Sequence, residues 1–559
     1  MLKALSSRIR NRYRSAGKII VLSAVVLLGV SALLASDLFS SISTNIRIYN
    51  NVVRNVLTEY VDEIESEELI TMSIEGMLDN LDPYTVFIRE EDQSAVTMLT
   101  ESKYGGVGIR LGMRNDILTV IAPMEGTPAN RAGVRPGDKI IMIDSMATKE
   151  FKIDEAADHI RGKPGTTVTL TFRRIGVDEE FSINLVREEI QISDLPYNGV
   201  IDGVGYIRLT RFSRNSANDF KAALKDLGSN DIEGLIIDLR DNPGGLLPIA
   251  IEMVDALVKP GMKIVETRGR TKKAMRSHLS QNEPLIRSDL PLVVLVNGGS
   301  ASASEIVAGA IQDLDRGAIV GQKTFGKGLV QTIYPLGKMT SIKMTTAKYY
   351  IPSGRLIQKE DYLDNGVLTD GLDKKDSLFV TLNGREMHGG GGITPDIEIE
   401  VDELSSLGRY LWGNGIFFEF ATENREKYGL DKAVTVTDDI VNDFKSFIQS
   451  KDIELSFPGE KKFREFETGL AELEGFEGKV DFDELEAYFS QKHANAVTEA
   501  GDELHEGLAL EFAALADGLG GRIRAALDHD EGFAKAMELI KDNLAYSMLL
   551  QGGEETASK

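Results

Sequence analysis

Cysteine is absent from this 559-residue chain, which excludes disulfides and thiolate metal sites and permits an oxidising compartment without establishing one. Histidine is scarce: His159, His278, His388, His493, His505 and His529 are the only six. None lies in a stretch with the look of a catalytic loop, although a Ser/His/Asp triad can assemble from distant parts of a chain. Positive charge is also short, with 63 Lys and Arg against 87 Asp and Glu and a net charge of −24. That sign disfavours binding to nucleic acid. What remains is ordinary for a globular protein: 42% hydrophobic residues and a length that accommodates three or four domains.

With histidine so sparse, the centre of the chain offers a different nucleophile and base. The apolar run Pro291-Leu-Val-Val-Leu-Val-Asn297 leads into Gly299-Ser300-Ala301-Ser302-Ala303-Ser304-Glu305 and on to Ile306–Gln312. This pattern predicts a buried strand, a tight turn and a helix opening at about Ser302. A serine at that point lies beside unpaired backbone N–H groups and the positive end of a helix dipole. Ser300 and Ser304 are the neighbouring alternatives. A serine hydroxyl needs a base, and Lys327 follows in Thr324-Phe325-Gly326-Lys327-Gly328. Lysine serves as a base when burial or a nearby cation lowers its pKa, and Phe325, Leu329 and Val330 are apolar neighbours that supply desolvation. Gly328–Tyr334 reads as a strand, so a period of two puts Lys327, Leu329 and Gln331 on one face. Gln331 is then a candidate to orient the lysine amine. The same spacing also describes a solvated loop lysine beside a structural glutamine.

One motif here is a decoy. Gly321-Gln-Lys-Thr-Phe-Gly326-Lys327 matches the first seven positions of a phosphate-binding loop, but the eighth is Gly328 where Ser or Thr should ligate magnesium. A β-rich run follows where a helix should cradle phosphate. The nucleotide reading fails on both counts.

Residues 102–187 form a separate unit. It begins with the glycine-rich Tyr104-Gly-Gly-Val-Gly-Ile109, continues through Leu118–Ala122 and Pro128–Ile143, and ends with a helical pattern at Asp154–Arg161 and a strand at Thr167–Arg173. Upstream, residues 45–101 show helical spacing at Asn51–Val61 and Glu67–Leu81. Further upstream, Lys3, Arg8, Arg10, Arg12, Arg14 and Lys18 precede the uncharged run Ile19–Ala35. A basic flank and such a run predict an export signal within residues 1–40. At about 1.5 Å per residue the run nearly spans a hydrocarbon core of roughly 30 Å. Leu33 at the −3 position favours an uncleaved inner-membrane anchor, with the basic side cytoplasmic. Residues 401–559 carry 34 acidic against 16 basic residues, a net charge of −18. Helical patterns recur there at Asp438–Ser450, Phe463–Leu473, Asp481–Lys492 and Glu531–Leu549. They read as a solvated helical domain, or as an interaction or assembly domain.

These stretches together resemble the carboxy-terminal processing proteases, serine peptidases with a Ser/Lys dyad. The resemblance rests on Asn297–Ile306, Val320–Gly328 with Gln331, Ala347–Gly354, and Asp238-Leu-Arg-Asp-Asn-Pro-Gly-Gly245, and it runs from about residue 45 to 400. It implies an α/β multidomain protein: a crotonase-like α/β core at 190–400, a PDZ domain at 102–187, N-terminal helices at 45–101 and a mainly helical C-terminal domain at 401–559. It further implies Ser302 as nucleophile, Lys327 as general base and Gln331 as the residue positioning the lysine. The oxyanion donors would be the Ala303 N–H and one from the Gly244-Gly245 turn. The unit at 102–187 looks like a PDZ domain of the circularly permuted bacterial type. Gly105, Gly106, Val107, Gly108 and Ile109 would then hold the terminal carboxylate of a peptide added as a strand.

The expected function is a serine endopeptidase acting on protein substrates with free C-terminal tails, on the periplasmic side of the bacterial envelope. No metal or organic cofactor is expected. The partners left open are a second copy of the chain and an adaptor protein. A catalytically silent PDZ scaffold that binds tails is the alternative.

Overall fold

The computed structural model describes residues 41–90, 92–337, 340–359, 377–400, 403–451, 453–471 and 481–551. The basic flank and apolar run expected to anchor the chain lie outside them. The chain divides into two compact units, 1–87 and 88–559. In the first, a helix runs over 41–59 and a second over Ser66–Leu78. The second is closed by a turn in which Asp82 accepts from the Tyr84 and Thr85 N–H groups. Among the described residues, no helix is long and apolar enough to cross a membrane.

The second unit is built around a six-stranded sheet ordered Tyr197–Ile201, Val204–Arg208, Gly234–Asp238, Leu292–Val296, Ala318–Gly321, Ile397–Glu398. Its first pair is antiparallel and the rest are parallel. Parallel strands are covered on both faces and so read as unbroken apolar runs. Every residue of Gly234–Asp238, Leu292–Val296 and Ala318–Gly321 is buried. Helices Ser216–Gly228, Leu247–Asp255 and Ala303–Asp313 pack on one face. The other face is covered by Glu531–Lys541 and Asn543–Gln551, through Phe533, Met537, Ile540, Tyr546 and Leu550.

The acidic C-terminal region therefore divides by its packing. Its first part, helices Ser406–Gly413 through Gly501–Ala526, gathers around its own core of Phe417, Phe420, Phe444, Leu504 and Phe512. Its last helices are a layer of the central sheet. A second, antiparallel sheet joins Leu329–Pro335 to Ser341–Tyr350, Ser341–Tyr350 to Lys263–Arg268, and Lys263–Arg268 to Arg276–Leu279.

The unit at 102–187 folds as a sheet in the order Ile109–Arg114, Ile117–Pro123, Lys139–Ile143, Thr167–Arg173, Phe181–Val186, with helix Ile153–Ile160 beside the first strand. Val120, Ile140, Leu170 and Phe172 fill its core. The Arg114 guanidinium lies 5.5 Å from the Phe418 ring centre, tying this edge to the helical cluster.

Candidate active site

Strands Gly234–Asp238 and Leu292–Val296 are adjacent and parallel, and their carboxyl ends deliver two loops to one place. Open α/β sheets form their sites at this end. The first loop contains Asn242-Pro243-Gly244-Gly245 and the second contains Ser302. They are cross-linked: the Asn242 carbonyl accepts from Ala301 N–H (3.0 Å) and Ser304 Oγ (2.8 Å). Asn297 receives the Asp241 N–H and donates its amide to the Asp241 carboxylate, both at 2.8 Å.

Ser302 caps helix Ala303–Asp313 at φ +55°, ψ −111°. A non-glycine residue held there stores about 1–3 kcal/mol of strain, a feature that clusters at functional sites. The flanking serines are occupied differently. Ser300 and Ser304 are fully buried, and each hydroxyl donates to a backbone carbonyl, of Leu239 and Asn242 respectively. Ser302 is half-buried.

Gly244, at φ +97°, backs against this serine. A Cβ on it would lie 2.9 Å from Ser302 Cβ and 2.6 Å from the Ala301 carbonyl oxygen, so only glycine fits. Its N–H donates to Asn242 Oδ1 (2.9 Å). The N–H groups of Ala303 and Gly245 take no acceptor among the described residues.

Lys327 lies in an irregular segment between Ala318–Gly321 and Leu329–Pro335. The strand begins two residues after Lys327, so strand alternation does not reach the lysine. Gln331 is inside the strand, opposite Thr345, and its Nε2 lies 3.4 Å from the Thr345 hydroxyl. No helix follows the Gly321–Lys327 segment, in keeping with the failed phosphate motif.

Sequence reasoning missed the residue that joins the serine and lysine segments. Glu305 is fully buried. Its Oε2 accepts the N–H of Ser302 (2.7 Å) and of Lys327 (2.9 Å). Its Oε1 accepts from Gly326 N–H (2.7 Å) and Thr324 Oγ1 (2.6 Å). Burial pushes its pKa up, and these four donors pull against that. Ser302-Ala-Ser-Glu305 is the S-x-x-E capping-box pattern, the signal that could have found it. Tyr349 was missed as well: its hydroxyl sits between the carbonyl oxygens of Ser302 (3.0 Å) and Lys327.

Beneath the first loop, Asp238 is wholly buried. Arg240, Arg208 and Tyr206 donate to it at 2.6, 2.7 and 2.7 Å. Burial alone would raise its pKa, but Arg240 and Arg208 outweigh burial and hold it at about 2. Three of the six histidines are engaged elsewhere: His159 stacks on Phe151, His493 pairs with Glu460 and His505 reaches the Val436 carbonyl. Among the described residues, no cluster of His, Asp or Glu could hold a metal ion.

The residues expected to hold a carboxylate lie together at the edge of the 102–187 sheet. Gly105 and Gly106 are in a strand paired with Glu188–Gln191, and Val107 is buried. The Gly108 carbonyl accepts from Met124 N–H, and Ile109 starts the edge strand.

Comparison with known proteins adds three family models: peptidase family S41 over residues 203–371, a PDZ domain over 119–174, and the C-terminal helical domain of probable PDZ-proteases over 407–540. The carboxy-terminal-processing protease of Bartonella bacilliformis is 40% identical over 347 residues, covering 61% of this chain and 79% of the relative. The carboxy-terminal processing protease CtpB of Bacillus subtilis is 34% identical, covering 59% and 71%. Among solved structures, the photosystem II D1 C-terminal processing protease matches at 26% identity and a TM-score of 0.35, covering 63% of this chain and 87% of that one.

Proposed function

The chain belongs to the carboxy-terminal processing proteases, which are serine-type peptidases, and we propose that it cuts proteins through a Ser302/Lys327 dyad after reading their C-terminal tails. The observation that carries this reading is the Glu305 carboxylate, one of whose oxygens takes the backbone N–H of both Ser302 and Lys327. One rigid group thus sets the nucleophile and base segments relative to each other. Such preorganisation of reacting groups is the main source of their effective concentration. The engagement of Ser300 and Ser304 in structural hydrogen bonds favours Ser302 over either.

In the proposed reaction, the Lys327 amine takes the Ser302 hydroxyl proton as Oγ attacks the scissile carbonyl carbon. The N–H groups of Ala303 and Gly245 stabilise the resulting oxyanion. Gly244 contributes the absence of a side chain rather than a donor. Lys327 then passes its proton to the leaving amine, and an acyl-enzyme forms. Water, deprotonated by the same lysine, releases the product acid. Gln331 positions the lysine. The 102–187 domain binds the substrate tail along the edge strand Ile109–Arg114, with Gly105, Gly106, Val107, Gly108 and Ile109 around the terminal carboxylate. The basic flank and apolar run of residues 1–40 anchor the enzyme with this machinery on the periplasmic side.

The test uses the full-length protein and a substrate with an unstructured C-terminal tail. Ser302→Ala and Lys327→Ala should each abolish cleavage, and Ser302→Ala should retain tail-peptide binding. Cleavage by Ser302→Ala at the parental rate would end the assignment.

A further inference from the structure

The helix Glu531–Lys541 comes from the acidic end of the chain, yet the residue that caps its start contacts the base of the catalytic loop. Asp530 is the N-cap, in extended conformation, and its Oδ1 accepts the Phe533 N–H at 2.9 Å. Its Oδ2 lies 2.6 Å from Arg240 Nη1, and neither side chain is more than 20% exposed. Arg240 is the second residue after strand Gly234–Asp238 and stands at the root of the loop that ends in Gly244-Gly245. Its other guanidinium nitrogens bind Asp238, and its carbonyl receives Arg208 Nη2 at 2.8 Å. From Arg240 the loop runs to Asp241, fastened to Asn297, and to Asn242, fastened to Ala301 and Ser304. A continuous hydrogen-bonded path thus connects the helix cap to the backbone around Ser302.

Packing alone does not require this ion pair. Phe533, Ala536, Met537, Leu539 and Ile540 already bury the helix on the sheet. A desolvated ion pair adds little stability beyond such an apolar face, whereas its geometry is strict. We propose that Asp530 is a positioning residue for hydrolysis: it fixes the Arg240 guanidinium and, through it, the loop that sets Gly244 against Ser302. The C-terminal region is then required for turnover as well as for folding. The proposal rests on Ser302 being the nucleophile.

The test compares full-length parent, Asp530→Asn, Asp530→Glu and Ser302→Ala. Asparagine is as good an N-cap as aspartate, so Asp530→Asn keeps the helix start and removes only the charge. The expected result is a fall in kcat of about tenfold or more from the shifted loop, with KM for a tail-bearing peptide near parental and the assay run well below a melting temperature lowered by the loss of one partner of a buried pair. Asp530→Glu should recover part of kcat. Parental kcat in Asp530→Asn overturns the proposal, as does a loss that merely tracks the unfolded fraction. Residual cleavage by Ser302→Ala would instead remove the nucleophile assignment, so the two failures are distinguishable.

Discussion

Two helices begin beside the loop Arg240–Gly245, and their caps are built in opposite ways. At Glu531–Lys541 the cap residue Asp530 is in relaxed extended backbone and accepts the Phe533 N–H with its own side chain. At Ala303–Asp313 the cap residue Ser302 is strained at φ +55°. There Glu305, three residues on, takes the cap's own N–H, and the Ala303 N–H is left without an acceptor. Both starts leave the N–H of the first helical residue without an acceptor among the described residues, but Glu531 is exposed to water whereas Ala303 is buried beside Ser302. An N-terminus left incomplete inside a packed core is a place where a substrate oxygen can complete it.

The strongest way to break this contrast is Glu305→Gln. A glutamine amide cannot accept four hydrogen bonds, because its nitrogen only donates. The substitution should leave two of the four donors unpaired, separate the Ser302 and Lys327 segments, and lower kcat by about 10²–10³, the usual loss when preorganised donors are misplaced. Steady-state cleavage of a tail-bearing peptide reads this, and parental kcat would show that the carboxylate has no part in setting the dyad. Gly244→Ala comes next. Its new methyl would press on Ser302 and on the Ala303 N–H, 2.8 Å away. The expected loss is about 10²-fold in kcat from displacement of the reacting groups, with tail binding by the 102–187 domain preserved in a peptide titration.

How much of this was legible depended on whether the pattern named its partner. The strand Leu292–Val296 and the helix start at Ser302 were readable because an apolar run, small residues and a capping serine follow one another between Leu292 and Ser302. The strand Thr167–Arg173 is where alternation put it. Lys327 is singled out by residue type, but its place ahead of the strand is not legible, since strand ends carry weak signals. Glu305 looked like one more charged residue in a helix. Its role depends on Thr324, Gly326 and Lys327 arriving about twenty residues later, a tertiary fact that spacing does not encode. In the tail, Gly501–Ala526 was hidden by its glycines, which read as a gap. Gly507 is there because a Cβ would lie 2.5 Å from the Phe417 ring. The helices at 531–551 were recognised as amphipathic, yet an apolar stripe says only that a face is buried, not against what. Their partner is the central six-stranded sheet.

The ionic side of the comparison sharpens with pH. The Asp238 carboxyl is held at about 2, below its ordinary value of 3.8. Its stabilising contribution is therefore present above pH 4 and is lost as the pH falls through about 2. Asp238→Asn should cost about 3–5 kcal/mol near neutral pH, because two buried guanidinium groups lose their counter-charge. The melting-temperature gap between parent and variant should narrow between about pH 4 and pH 2. A gap constant over that range would show that folding does not lower the pKa of this carboxyl. Glu305 runs the other way: burial raises its pKa, so its contribution weakens as the pH rises through the folded value.

The smallest expected effect separates the structural duty of the last helix from the positioning role of Asp530. Tyr546 is buried, and its hydroxyl bridges the N–H and carbonyl of Leu292 at 2.9 and 3.1 Å, at the start of the strand that leads to Ser302. Tyr546→Phe removes this clasp without touching Arg240 or the loop. It should lower stability by about 1–2 kcal/mol, the cost of stranding buried backbone groups, and leave kcat at the parental value. Thermal melts and steady-state cleavage on the same preparation read both numbers. A fall in kcat as large as that expected for Asp530→Asn would mean that any loosening of the C-terminal layer reaches the active site, and the distinction between the two contacts would disappear.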